Sequence, residues 1–284
     1  MMKFAYFGTP YVARDTLAKL VAAGYTPSVV VTSPDAPRGR GMELTPCETK
    51  AWALEHGLTV LTPQKIDEAF LQKLTVYECE LAIVVAYGKL LPQAAIDLFP
   101  RGIVNIHYSL LPLYRGASPV ESALRNGETV TGVTIQQMAL EMDAGDILAQ
   151  EEVAIEPADT TVTLRPKLIE LGADLLIRIL SDLETGTITP VAQDAARATR
   201  APKIKKEEGL LSLSGDAVHN WNTYRAFRES PGTYFYATKG DARMRVKIVD
   251  ATFEKGSFVP TRIVPEGKSE QPFSYLAQNG WVPE

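Results

Sequence analysis

The sequence predicts an α/β protein: a mostly parallel sheet flanked by helices, followed by a smaller β-rich domain. Three observations carry this. Short, continuous apolar runs recur at Lys3–Phe7, Ser28–Thr32 and Leu81–Ala86, and such runs suit strands buried on both faces. Helical patterns separate them, so the runs read as strand–helix–strand units with parallel pairing. Beyond Gly209 the pattern changes to short alternating segments, such as Thr233–Ala237 and Arg243–Val249, divided by glycine and proline.

Taken in order, Lys3–Phe7 stops at Gly8-Thr9-Pro10, where Thr9 is placed to cap a helix and Pro10 suits its first turn. Val12, Leu17, Leu20 and Val21 fall near a 3.6-residue period, and Gly24 ends the helix. Ser28–Thr32 completes the first strand–helix–strand unit, without the G-x-G-x-x-G turn of a dinucleotide site. Ser33–Thr45 holds two prolines, two glycines and two arginines; with almost nothing to bury, it reads as a long polar loop of the kind that carries function. Helices are expected over Glu48–His56 and Ile66–Leu74, with a short strand at Leu58–Leu61 between them. After Leu81–Ala86, the expected elements are a strand at Ile103–His107, a helix at Ser118–Arg125, and strands at Gly132–Met138 and Ile147–Ile155. Thr161–Leu183 carries a leucine stripe and is the longest expected helix. The expected organisation is a first domain over 1–190, a polar linker over 191–208 and a second domain over 209–284, with a helix at Ala217–Phe227.

Composition narrows the function. At 284 residues, with 45% hydrophobic and 22% charged residues, the chain fits one large domain plus an appendage. A net charge of -5 argues against a protein that coats nucleic acid indiscriminately, while leaving room for a local basic patch. Cys47 and Cys79 form no disulfide framework, and with His56, His107 and His219 they show no metal-ligand spacing. No signal peptide or spanning apolar run is visible, so a reducing cytoplasm is the expected location.

The chemistry concentrates in Ile103–Pro119, IVNIHYSLLPLYRGASP. On a strand, side chains two apart share a face, so Asn105 and His107 point the same way. They stand at a strand's C-terminal end, where open α/β sheets bind ligands. Asp143, in the turn Met142–Asp146, is the third candidate. Taken singly, a histidine here can be a satisfied core residue and an aspartate a plain turn former. Together they suit acyl transfer to an incoming amine. The amide donates to a developing oxyanion, the histidine protonates or polarises the same oxygen, and the aspartate orients the ring. Each oxyanion donor in such a site is worth about 3 kcal/mol of barrier. A Ser-His-Asp hydrolase using Ser109 is the rival reading. It lacks the G-x-S-x-G elbow, and Ser109 follows His107 by two residues on one segment.

These residues resemble the folate-dependent formyltransferases, and among them those that act on methionyl-tRNA. The likeness rests on Phe7-Gly8-Thr9-Pro10, Pro34-Asp35-Ala36-Pro37-Arg38-Gly39-Arg40-Gly41, Val85-Ala86-Tyr87-Gly88 and Asn105-Ile106-His107. It continues through Ser109-Leu110-Leu111-Pro112, Tyr114-Arg115-Gly116-Ala117 and Met142-Asp143-Ala144-Gly145-Asp146, over roughly the first two hundred residues.

The resemblance implies a Rossmann-like catalytic domain with Asn105, His107 and Asp143 as the catalytic set. The α-amine of methionine on initiator tRNA would attack the formyl carbon of 10-formyltetrahydrofolate, with no metal and no covalent enzyme intermediate. Ser109, Leu110, Leu111 and Pro112 match the folate-binding segment, and Val85, Ala86, Tyr87, Gly88 and Asp146 would flank the pterin. Arg38 and Arg40 match the loop that enters the acceptor end of the tRNA. Lys50 is a weaker candidate, and the basic run holding Lys203, Lys205 and Lys206 is a further one. Cys47 stands where the family more often has a small hydroxyl residue. Past Gly209 the family's Asp-Trp pair is replaced by Leu-Leu-Ser-Leu, and the β-rich domain reads as a shortened, truncated barrel. No membrane and no protein partner is implied, and a monomer is expected. A formyltransferase for an amino-sugar nucleotide is the runner-up, followed by a non-catalytic tRNA- or folate-binding module and by a hydrolase that deformylates folate.

Overall fold

Seven strands share one sheet in the computed structural model, which describes residues 2–38 and 41–284. The chain runs β1 (Phe4–Gly8), α1 (Tyr11–Ala22), β2 (Val29–Val31), β3 (Ala36–Arg38), β4 (Glu43–Thr45), α2 (Glu48–Glu55), β5 (Val60–Leu61) and α3 (Glu68–Thr75). Next come β6 (Leu81–Val85), α4 (Gln93–Ile96), β7 (Ile103–His107), β8 (Arg115–Gly116), α5 (Pro119–Arg125), β9 (Val130–Gln137), β10 (Ile147–Ala154) and α6 (Thr161–Thr185). Then follow β11 (Arg200–Ala201), α7 (Ala217–Ala226), β12 (Thr233–Lys239), β13 (Ala242–Glu254), β14 (Ser257–Pro265), β15 (Gln271–Pro272), α8 (Tyr275–Gln278) and β16 (Val282–Pro283).

Contacts divide the chain into two compact units, each assembled from more than one stretch. The first comprises Met1–Gly116, Gly132–Val153 and Pro166–Arg200; the second comprises Ala117–Thr131, Ala154–Arg165 and Ala201–Glu284. The boundary expected at 190 falls inside the third stretch of the first unit.

In the first unit the sheet order is β10-β9-β7-β6-β1-β2-β5. β1 pairs in parallel with β2 and β6, β2 with β5, and β6 with β7; β9 joins β7 antiparallel. Every residue of β1, β2 and β6 is buried, as their continuous apolar sequences require of strands covered on both faces. The Tyr6 hydroxyl donates to the Ala13 carbonyl at 2.6 Å, which puts α1 on the Tyr6 face. Ala5 and Phe7, on the opposite face, join Phe70 and Leu74 of α3 in a separate cluster. Gly8 lets α1 start this close: a Cβ there would lie 2.4 Å from the Ala13 Cβ and 3.0 Å from the Val85 oxygen.

Two local expectations change. Ser33–Thr45 is not wholly irregular, because β3 and β4 pair antiparallel with Ala36 opposite Thr45 and Arg38 opposite Glu43. A two-stranded pairing needs no apolar core of its own, so polar composition hid it. Pro10, not Thr9, occupies the N-cap of α1. The Thr9 hydroxyl instead shares a 3.1 Å hydrogen bond with Ser33 and donates to the Tyr87 carbonyl at 3.3 Å, tying the end of β1 to the end of β6.

The second unit holds a five-stranded antiparallel sheet in the open order β15-β14-β13-β12-β16. Alternate residues Phe235, Ala237, Val246, Ile248 and Ile263 turn to one face, where they pack with Tyr224 of α7 and Leu276 of α8. Beside this core the buried Arg225 donates to the carbonyls of Asp159 and Glu156 and to Asn222. The α/β unit with a separate β-rich C-terminal sheet is the fold class that the sequence predicts.

Candidate active site

Register explains why Asn105 and His107 meet. Asn105 stands opposite Gln136 and His107 opposite Thr134 across the β7–β9 pair, so all four side chains occupy one face of the sheet. His107 and Gln136 are buried, at 6% and 1% exposure, whereas Asn105 is half-buried. The pair sits beside β6, and β1 lies between β6 and β2. Strand order changes direction between β6 and β1, one strand away from the pair, and that point is the usual ligand crevice of an open α/β sheet.

Asp143 reaches the same place from a turn. Gly145 lets that turn fold back onto β9, because a Cβ at 145 would lie 1.7 Å from the Gln137 carbonyl oxygen. The Gln137 N–H then donates to the Asp146 carbonyl at 2.9 Å. Asp143 itself adopts φ +54°, a left-handed conformation that aspartate tolerates better than most residues. Tyr114 and Ala86 also carry positive φ, at +61° and +45°, and strain of this kind clusters at functional sites.

The Asp143 carboxylate is held at both oxygens. Oδ2 accepts the Gly116 backbone N–H and Oδ1 accepts the Gln136 amide, each at 2.8 Å. Oδ1 also faces His107 Nδ1 at 3.6 Å, an ion-pair distance that is too long for a hydrogen bond. The other ring nitrogen, Nε2, lies 2.9 Å from the Tyr114 carbonyl oxygen. Both ring nitrogens therefore face oxygen atoms of the protein.

Gln193 closes the arrangement from the stretch read as a linker. Its Nε2 donates to the carbonyls of Asp143 and Gly145 at 2.9 and 2.6 Å. Its Oε1 accepts from Arg115 Nε and Nη2 at 3.0 and 2.8 Å. One amide thus pins the aspartate turn to the buried Arg115.

Other predicted residues fall around this centre. The Ser109 hydroxyl is fully buried and donates to the Leu113 carbonyl at 2.6 Å, so it is spent on its own turn, against the hydrolase reading. Leu111 and Pro112 are buried and joined by a cis peptide, and Leu110 is half-buried. The Leu111 N–H donates to Thr134 Oγ1, which in turn donates to the Ser109 carbonyl. At the end of β6, Val85 is buried while Ala86 and Gly88 are exposed. The Tyr87 ring turns into the core against Phe7, 5.3 Å between centroids, and burial pushes its phenol up to about 12. Asp146 is exposed.

The basic candidates are placed differently. Arg40 lies outside the described residues, and Arg38 is placed only as the end of β3, opposite Glu43. Lys50 is not a free cation: its Nζ pairs with Asp35 at 2.6 Å. Lys203, Lys205 and Lys206 are exposed and belong to the second unit. Among the described residues no group of histidine, cysteine and acidic side chains is arranged to hold a metal ion. No described helix is long and apolar enough to cross a membrane.

Sequence reasoning missed Gln136, Gly116, the Tyr114 carbonyl and Gln193. Gln136 left a partial trace, since Thr134 and Gln136 are polar and alternate with Val133 and Ile135 on β9. Gln193 left none, because a polar residue in a polar stretch carries no pattern. Cys47 gains a role: its Sγ accepts the Lys50 N–H at 3.4 Å as the N-cap of α2 and lies 2.8 Å from the Thr32 hydroxyl.

Known proteins resemble this chain in sequence and in fold. Residues 2–180 match the family described as formyl transferase. A methionyl-tRNA formyltransferase of Koribacter versatilis is 42% identical over 258 residues, covering 90% of this chain and 83% of that protein. Another, of Acidobacterium capsulatum, is 43% identical over 235 residues, covering 82% of this chain and 76% of that one. Among solved structures, an N-formyltransferase from Helicobacter canadensis in complex with folinic acid and dTDP-3-aminofucose superposes with TM-score 0.66 at 18% identity, over 89% of each chain. The methionyl-tRNA formyltransferase from Clostridium thermocellum gives TM-score 0.62 at 15% identity, over 93% of this chain and 99% of that one. The two structures bear on the fold alone; the sequence relatives reach further, and by them the chain belongs to the methionyl-tRNA formyltransferases of the formyl transferase family.

Proposed function

We propose that this protein transfers the formyl group of 10-formyltetrahydrofolate to the α-amine of methionine carried by initiator tRNA. The observation that carries the reading is the convergence of Asn105, His107 and Asp143 on one face of one sheet end. The amine nitrogen attacks the formyl carbon, the carbonyl oxygen takes up the electron pair, and collapse breaks the bond to N10 of the folate. One amine proton ends on the departing nitrogen. Asn105, half-buried and with no side-chain hydrogen-bond partner among the described residues, is the donor for the developing oxyanion. His107 joins it by exchanging the Tyr114 carbonyl for the substrate oxygen, a rearrangement of the kind that resting sites undergo on binding. Asp143 fixes the ring.

Folate occupies the crevice bordered by Ser109–Pro112 and Val85–Gly88, with Asp146 at its rim. Arg38, Arg40, Lys50 and the Lys203, Lys205 and Lys206 group are the tRNA contacts in this reading. Support comes from the family's loop sequence and from the exposure of the three downstream lysines. A monomer in the cytoplasm goes with the reading, and two buried cysteines without a disulfide support the reducing compartment.

The deciding experiment incubates the protein with 10-formyltetrahydrofolate and either methionyl-tRNA or an amino-sugar nucleotide. Formylated methionyl-tRNA is expected; formylation of the sugar alone would move the chain to the runner-up activity. Arg40→Ala should depress tRNA use far more than folate binding, and an equal loss with a minimal methionyl ester would count against the loop assignment.

A further inference from the structure

We propose that Gln136 is a positioning residue that sets the Asp143 carboxylate against His107. The proposal deepens the reading of the site given above and rests on it for its kinetic test. Gln136 is almost fully buried in β9, directly across from Asn105. Its Nε2 donates to Asp143 Oδ1 at 2.8 Å, the same oxygen that faces His107 Nδ1 at 3.6 Å. Gly116 alone, holding Oδ2, would leave the carboxylate free to rotate about that single anchor. The second donor fixes the rotation, and with it the lone pair offered to the imidazole.

The other end of the same amide supports the assignment. Gln136 Oε1 is buried with no hydrogen-bond partner among the described residues. The amide cannot relieve this by flipping, because a flip would set its oxygen against the Asp143 carboxylate. A buried acceptor left unpaired is unfavourable, and a methionine or leucine would fill the position without it. What a hydrocarbon cannot supply is the N–H toward Asp143.

The test compares Gln136→Met, which keeps the length and removes the donor, with Gln136→Glu, which donates only while its carboxyl holds a proton. Expected for Gln136→Met is a fall in kcat of about tenfold, with KM for the formyl donor and the melting temperature unchanged or improved. Gln136→Glu should approach the wild-type rate at the acid end of the pH profile and fall away from it as pH rises. A packing role alone would show neither the kcat-only loss nor the altered profile. Wild-type kcat and an unchanged profile in both variants would overturn the proposal while leaving the formyltransferase reading intact. If the wild type formylates neither acceptor, that reading fails instead. The ring-nitrogen NMR signals of His107 then decide, since positioning requires them to differ between wild type and Gln136→Met, and identical signals would overturn it.

Discussion

The Nε2 of His107 lies 2.9 Å from the Tyr114 carbonyl oxygen, which takes up the ring nitrogen that a substrate oxygen would need in the proposed reaction. In the proposed mechanism the resting site is therefore closed on itself, and its two donors differ in readiness. Asn105 needs no rearrangement, whereas His107 must give up a hydrogen bond. His107→Ala is expected to lower kcat by about 10²- to 10⁴-fold, and Asn105→Ala by about 10²- to 10³-fold. Asn105→Ala should leave the unfolding midpoint nearly unchanged, whereas His107→Ala should lower it by emptying a buried position and leaving the Tyr114 carbonyl unpaired, without unfolding the protein. Steady-state kinetics alongside thermal melts checks both, and near-normal turnover of His107→Ala would sink the mechanism.

Gly145→Ala tests the turn from behind. Its new Cβ would have to occupy space 1.7 Å from the Gln137 oxygen, so the Met142–Asp146 turn must lift away from β9. The expected result is a loss of about 1–3 kcal/mol in stability, together with a kcat far below what that loss explains at temperatures where the protein stays folded. A variant with normal turnover would show that Asp143 does not need this turn.

Cys47 caps α2 through a weak sulfur acceptor. A serine hydroxyl is the better cap, and the neighbouring Thr32 hydroxyl can pair with it as well. Cys47→Ser should be stabilising by up to about 1 kcal/mol, and Cys47→Ala destabilising by about 1 kcal/mol. Urea unfolding of the three proteins gives the order, and Ala above Ser would contradict the cap.

Alkaline stability follows from three phenols, among them that of Tyr6, which burial holds well above its ordinary value. Burial raises Tyr87 to about 12, and burial, opposed in part by Arg228, raises Tyr224 to about 12. The folded state thus keeps these protons longer than the unfolded chain, whose phenols titrate near 10. Their contribution is fully present below pH 10 and is lost progressively as pH rises toward 12. Tyr87→Phe should shrink that alkaline loss. It should also cost little at neutral pH, because the Tyr87 hydroxyl has no hydrogen-bond partner among the described residues. Unfolding free energies measured on either side of pH 10 check the sign.

Much of the first unit was legible because buried parallel strands announce themselves. The runs that became β1, β2 and β6 are apolar throughout, and helices α1 and α6 carry a helical period. Asn105 and His107 were legible for the same reason, since a strand's two-residue alternation fixes their common face. Residues that act through the backbone were not. Gly116 contributes an N–H and Tyr114 a carbonyl, groups that every residue owns. Gln136 and Gln193 depend on which distant segments meet, and spacing along the chain does not report that. The pairing of β3 with β4 escaped because no apolar alternation marks it.

The bond network of Gln193 has a consequence for how the protein is made. The aspartate turn is complete in sequence by residue 146, yet its clamp arrives only with residue 193, after the whole of α6. A nascent chain can therefore assemble the strands and hold the Asp143 carboxylate through Gly116 and Gln136, yet leave the turn's backbone without the Gln193 amide, so that this last restraint comes late in synthesis. The prediction is checked by proteolysis of ribosome-stalled chains of increasing length: the Met142–Asp146 turn should become protected only in chains long enough for Gln193 to have left the exit tunnel.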